Sequence, residues 1–447
     1  MKDEYTVVEE RLQNLKNFYK QTVKLIEELP DIIPKDVKKL LKSTILDDEE
    51  LKNIMDGIDK HRPPRILLMG RTGVGKSSLV NALCGAYVAK VSDTRSCTES
   101  AQAYQCKHGD RVLMDVYDTR GIAESKKLDE SITAEDVLVQ QIRKFSPDLT
   151  IFMLNCTRRD DISEDVEFLK KLNNDYQAKN KLALPIIVAI NKSDEMAPSR
   201  QKDPNEYSAK KIEKITEMKQ YYKEIINENG LEIADTHIIA VSSLIEWARS
   251  DGREIDVDEI SELSTSDVEN LQISFDGRYQ IDKLHDILLE NLNSYEARMG
   301  LMMAIRLNDF VHKLADRLNN IFATLAGCIA LSPIPLSDIY ILLLLQSLLV
   351  ATIASLSGRN LSIETAMEFI FSLVGMTGVG FALKLLAQQA SKIFPGVGSA
   401  VSAFIAKNGT LAIGEAAIAY YIDDEPIKIA KEKFEKTKSE NLTSQAE

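Results

Sequence analysis

Cysteine, positive charge and long apolar runs are all in short supply in this chain. Its five cysteines, Cys84, Cys97, Cys106, Cys156 and Cys328, are scattered, odd in number and form no C-x-x-C pair. That argues against a disulfide framework and for free thiols in a reducing compartment. The 55 Lys and Arg are outnumbered by 68 Asp and Glu, for a net charge of −13. An acidic chain is a poor electrostatic match for RNA or DNA, so nucleic acid is not expected as a partner. The opening Met1-Lys2-Asp3-Glu4-Tyr5 has no apolar signal-peptide core, and a cytoplasmic location is expected. Only Ile339–Leu356 is apolar and uncharged for as many as 18 residues, at the lower edge of the ~20 that span a bilayer. What remains is ordinary for a soluble protein, 44% hydrophobic and 28% charged, and 447 residues suggest two or three domains.

The most informative stretch is Gly70-Arg71-Thr72-Gly73-Val74-Gly75-Lys76-Ser77, followed by Ser78. It fits G-x-x-x-x-G-K-[ST], the phosphate-binding P-loop. The apolar run Ile66–Met69 precedes it as a buried strand and a helical pattern from Ser78 follows, which is the context the motif requires. Glycines let backbone N–H groups wrap the phosphates; Lys76 reaches the β- and γ-phosphates and Ser77 holds Mg²⁺.

Asn191-Lys192-Ser193-Asp194 follows the apolar strand Leu184–Ile190. N-K-x-D at a strand's carboxyl end is a guanine-reading box. The Asp194 carboxylate accepts from the ring N–H and exocyclic amine of guanine, whereas adenine would leave a buried acceptor unpaired. Asn191 is expected to tie this loop to the P-loop, and the Lys192 stem to cover the base.

Asp118-Thr119-Arg120-Gly121 ends the alternating run Val112–Tyr117. This D-x-x-G places Asp118 near Mg²⁺ and the Gly121 amide near the γ-phosphate. Within Val91–Glu99, Thr98 is the candidate switch threonine on Mg²⁺, with Thr94 as its rival. Val241-Ser242-Ser243 follows the strand His237–Ala240, and its backbone is expected to contact the guanine O6.

With these five boxes the chain resembles the Era/TrmE/septin-like branch of P-loop GTPases, over roughly residues 64–298. The resemblance implies a Ras-like α/β domain, a mostly parallel six-stranded sheet with helices on both faces, that binds GTP or GDP with Mg²⁺. Two departures matter. Ile122 stands where Ras-like enzymes carry a water-orienting glutamine, leaving Glu124, Asp129 and Glu130 as candidates, against the plainer reading of each as a solvated switch residue. Gly73 stands where potassium-dependent members carry asparagine, which looks closer to septins and immunity-related GTPases, groups that act as oligomers. Arg71 or Arg120 is then a candidate arginine finger across a dimer, against the plainer reading as a surface arginine.

Residues 1–62 read as amphipathic helices that must pack on something later in the chain. Residues 250–277 read as an acidic, solvated loop with some helix. After about residue 318 the chain turns apolar, and residues 320–422 resemble a bacterial domain of unknown function that follows Era-like GTPase domains. The marks are Ser332-Pro-Ile-Pro-Leu-Ser-Asp338, Phe394-Pro-Gly-Val-Gly398, and Ile413-Gly-Glu-Ala-Ala417 ending in Tyr420-Tyr421. These helices suit either a buried bundle, with glycines at close contacts, or insertion into a bilayer. From Asp423 a charged tail is expected to fray beyond Phe434.

The expected organisation is a helical segment 1–62, a GTPase domain 63–298, an all-α apolar domain 299–422 and a tail 423–447. The expected function is a slowly hydrolysing, membrane-associated GTP switch, with Lys76, Thr98 and Gly121 in the catalytic roles and Ser77, Thr98 and Asp118 on the metal. Expected partners are membrane lipid, a second copy of the chain and an effector protein. The alternatives are a self-assembling dynamin-like GTPase and a ribosome- or RNA-associated assembly factor.

Overall fold

The structure, a computed structural model, describes residues 22–24, 26–27, 35–89, 102–108, 111–119, 134–331, 338–359, 361–373 and 399–443. The chain divides into two compact units, one of residues 61–305 and one combining 1–60 with 306–447.

The first unit is built on a six-stranded sheet in the order β2-β3-β1-β4-β5-β6. Its strands are β1 (Arg65–Met69), β2 (Gln102–His108), β3 (Arg111–Asp118), β4 (Leu149–Asn155), β5 (Ile186–Asn191) and β6 (Ile238–Ala240). All neighbours run parallel except β2, which is antiparallel to β3. β4 and β5 are buried at every position, as continuous apolar runs covered on both faces must be. One face packs with Leu79, Leu83, Leu284 and Leu288, the other with Phe168, Leu172, Tyr222 and Ile226. This is the Ras-like α/β arrangement, and it puts the carboxyl ends of β1, β3, β4 and β5 along one edge, where ligands bind in such sheets. The entry to β1 is braced by Arg62, whose guanidinium donates twice to Asp148 at 2.7 Å while Asp148 also accepts from the Arg65 N–H at 2.8 Å.

The polar edge strand β2 carries no strong pattern in sequence. A second difference concerns residues 250–277, which do not form a plain solvated loop. β7 (Ser242–Ala248), β8 (Glu254–Ile255) and β9 (Gln272–Tyr279) make a three-stranded antiparallel sheet in the order β8-β7-β9. The acidic residues obscure an alternation in β9, where Ile273 and Phe275 are half-buried between exposed Gln272, Ser274 and Asp276.

The second unit is helical: α1 (Lys35–Leu46), α2 (Glu49–Lys60), α3 (Leu307–Leu331), α4 (Asp338–Leu356), α5 (Ile363–Leu373), α6 (Ser399–Ala417) and α7 (Ile427–Thr443). Ile45, Leu51 and Ile58 are fully buried, and Asp48 accepts from Arg317 at 2.7 Å, so the N-terminal helices join this unit's core. α4 is buried from Leu343 to Leu356, and its Gln346 donates to Thr410 of α6 at 3.0 Å. Gly414 permits the contact of α6 with α3, since a Cβ there would lie 1.9 Å from Asn319 Oδ1. Phe369 meets the rings of Tyr420 and Tyr421 at 5.3 and 5.1 Å. Among the described residues no helix is long and apolar enough to cross a membrane. The tail does not fray at Phe434: α7 continues to Thr443, because Ala430 and Phe434 bury one of its faces.

Candidate functional site

The P-loop leaves β1 at Gly70 and enters the helix α8 (Lys76–Cys84) after Gly75. Gly75 has φ 88°, and a Cβ there would lie 2.6 Å from Asn191 Nδ2, so both backbone and space demand glycine. Lys76 Nζ donates to Gly70 O at 2.8 Å and lies 3.6 Å from Asp118 Oδ1; the two side chains are 10% and 3% exposed. Ser77 and Ser78 occupy the first turn of α8, half-buried. Asp118 is brought to the loop by register, since it pairs with Leu68 where β3 and β1 end.

Asn191, fully buried at the end of β5, locks three segments together. Its Nδ2 donates to Val74 O in the P-loop at 2.9 Å and to Ser243 Oγ at 2.9 Å, and its Oδ1 accepts from the Ser243 N–H at 3.1 Å. Lys192 turns the chain with φ 70°, and its ammonium donates to Glu195 at 2.9 Å. Asp194 Oδ1 accepts from Ser242 Oγ at 2.8 Å, and the Ser193 N–H donates to Val241 O at 3.1 Å. A cleft of about 530 Å³ is lined by Gly75, Ser78, Asn191, Lys192, Asp194 and Trp247, among others. That volume lies within the usual range for small-molecule sites.

Lys211 was not marked by any motif. It begins the long helix α9 (Ala209–Glu228) and is fully buried. Its Nζ donates to Asp194 O and Gln201 O, both at 2.6 Å, and stands 4.3 Å over the Tyr207 ring. It thus fixes the loop that carries Asp194. Burial lowers its pKa, opposed by the Asp194 carboxylate; burial raises that of Tyr207, helped by Asp194.

The structure therefore gathers Gly70, Arg71, Thr72, Gly73, Val74, Gly75, Lys76, Ser77, Ser78, Asp118, Asn191, Lys192, Asp194, Ser242 and Ser243 around one edge of the sheet. Arg71 is engaged within its own chain, where its Nε donates to Asp165 Oδ2 at 3.2 Å and its Nη2 to Asp161 O. Thr98 and Gly121 lie outside the described residues, with Thr94, Arg120, Ile122, Glu124, Asp129 and Glu130.

Residues 65–192 match the family described as 50S ribosome-binding GTPase. GTPase Der of Leptospira interrogans is 33% identical over 148 residues, covering 33% of this chain and 28% of its own. The tRNA modification GTPase MnmE of Sulfurovum is 34% identical over 194 residues, covering 41% of this chain and 40% of its own. The chain thus spans well under half the length of either relative. The solved LeoA bacterial dynamin GTPase from ETEC aligns with 94% of this chain and 70% of its own, at 15% identity and a TM-score of 0.35. The chain carries a P-loop GTPase domain with homologues among the Der and MnmE GTPases.

Proposed function

We propose that this P-loop GTPase domain binds GTP and hydrolyses it to GDP and phosphate, and that the chain acts as a molecular switch. The observation that carries the reading is the docking of the Asn191-Lys192-Ser193-Asp194 box on the P-loop, which sets a guanine-selective carboxylate beside a phosphate-binding loop.

The residues fit both nucleotide and metal. Asp194 has a carboxylate on the cleft for the two donors of guanine. The Ser77 hydroxyl and the buried Asp118 carboxylate are hard oxygen donors of the kind Mg²⁺ takes. When bound, Mg²⁺ neutralises charge on the β- and γ-phosphate oxygens. Lys76 and the P-loop amides stabilise the charge that develops during in-line attack of water on the γ-phosphate. Thr98 completes the metal set and the Gly121 amide senses the γ-phosphate; release of both after hydrolysis is the signal.

The finer role is a switch whose helical unit docks on the cytoplasmic face of a membrane. The uncharged run Ile339–Leu356 of α4 and the resemblance of residues 320–422 to a domain found beside Era-like GTPases support it. Because α4 is buried within its unit, docking by this route is peripheral or accompanies opening of the bundle. The acidic net charge alone does not exclude RNA, since the matched family is described as ribosome-binding.

The test is GTP hydrolysis by the purified chain over a range of protein concentrations, with and without liposomes and with and without ribosomes. Stimulation by lipid supports the membrane-docked switch. Specific activity that rises with protein concentration alone points instead to a self-assembling, dynamin-like GTPase, and stimulation by ribosomes alone to an assembly factor. No hydrolysis under any condition contradicts the enzymatic reading.

A further inference from the structure

The strand that begins with Ser242 and Ser243 does not end at the base-reading box. β7 runs on to Ala248 and pairs with β8 and β9, so residues 242–279 stand as an insert before the last helices of the unit. The insert has its own small core of Trp247, Ile255 and Ile260, with Tyr87 packed against it. Trp247 is 4% exposed and is the only tryptophan in the chain. Its ring meets Tyr87 edge-on, with centroids 5.8 Å apart and planes at 86°.

Tyr87 lies just past the end of α8, and the same short segment is held from the other side by Asn81. This buried side chain accepts from the Val88 N–H at 2.8 Å and the Ala89 N–H at 2.7 Å, and donates to Ala89 O at 2.8 Å. Residues 87–89, on the way to Thr98, are therefore clamped between the P-loop helix and the insert. The insert also faces the cleft: Leu244, Trp247, Ile255 and Val257 line it together with Lys192 and Asp194.

We propose that the β7–β9 insert is the outer wall of the nucleotide cleft, and that Trp247, through Tyr87, is a positioning residue that makes nucleotide occupancy and the placement of residues 87–89 interdependent. This rests on the guanine-nucleotide reading above. The indole both lines the cleft and abuts Tyr87, so a ligand that moves one must disturb the other.

The experiment uses the full chain and GDP carrying a fluorescent ribose label, excited directly for release rates, with unlabelled GDP for Trp247 emission. The expected result is a change in Trp247 emission on GDP binding. Tyr87→Ala should speed release of labelled GDP by roughly two- to tenfold, the range for loss of an aromatic pair. Tyr87→Phe, which keeps the ring contact, should release labelled GDP more slowly than Tyr87→Ala. Trp247→Phe combined with Tyr87→Ala should fall short of the product of the two single effects. If labelled GDP binds but Trp247 emission is unmoved, or the two substitutions multiply independently, the insert is not coupled to the cleft. If no guanine nucleotide binds the wild-type chain, the guanine reading itself fails and this inference falls with it. The emission measurement on the wild-type chain decides the matter even if Tyr87→Ala does not fold.

Discussion

Asn191 and Ser243 hold each other by two hydrogen bonds, Nδ2 to Oγ at 2.9 Å and the Ser243 N–H to Oδ1 at 3.1 Å. The same Asn191 amide reaches Val74 O. One side chain thus joins the base-reading strand ends to the phosphate loop. Asn191→Ala leaves buried polar groups on both sides without their partner. The expected cost is about 1–3 kcal/mol of stability, together with weaker guanine nucleotide binding. Urea unfolding and a nucleotide titration on the same variant check both.

Asp194 sets base selectivity by accepting from guanine. In Asp194→Asn the amide offers a donor where the carboxylate offered an acceptor, which suits the carbonyl of xanthine in place of the guanine amine. GTP affinity should drop by roughly 100-fold or more while xanthosine triphosphate gains. Competition binding with the two nucleotides measures it. The Ser242 hydroxyl retains an acceptor in the new side chain, so the fold should survive.

Arg71 is tied to Asp165 and Asp161 in its own chain. Any loss of hydrolysis in Arg71→Ala should therefore be the same at every protein concentration. A deficit confined to high concentration would instead identify Arg71 as a finger acting on a second copy.

Burial raises the thiol pKa of Cys156 to about 11 and of Cys84 to about 12. A raised thiol pKa keeps the group protonated through neutral pH, and at pH 8 a thiol of pKa 11 is roughly one-thousandth thiolate. Among the described cysteines, alkylation of the folded chain at pH 8 should reach the exposed Cys328 first. The buried Cys156 should react only after denaturation, and the half-buried Cys84 more slowly than Cys328, as peptide mapping of the labelled protein would show.

The site was legible because each box is a short polar motif at the end of an apolar strand, as with Asp118 after β3 and Asn191 after β5. Strand ends of a parallel sheet gather at one edge, so local motifs converge without long-range information. Other features depend on tertiary contacts. Lys211 is one lysine in Ala209-Lys210-Lys211-Ile212, and only the folded loop decides which of the two is buried on three carbonyls. The alternation of β9 is weak because acidic residues crowd its flanks. Phe434 looked like the end of order in a run of Lys and Glu, yet with Ala430 it seats a helix that persists to Thr443.

Selectivity of the cleft between the P-loop and Asp194 for guanine nucleotide underlies both the proposed function and the role given to Trp247. Its most direct test is equilibrium binding of labelled GDP to the full chain with Mg²⁺, in competition with unlabelled GTP and ATP. Saturable binding that GTP displaces and a large excess of ATP does not is the expected result. Equal displacement by ATP, or no binding at all, would contradict it.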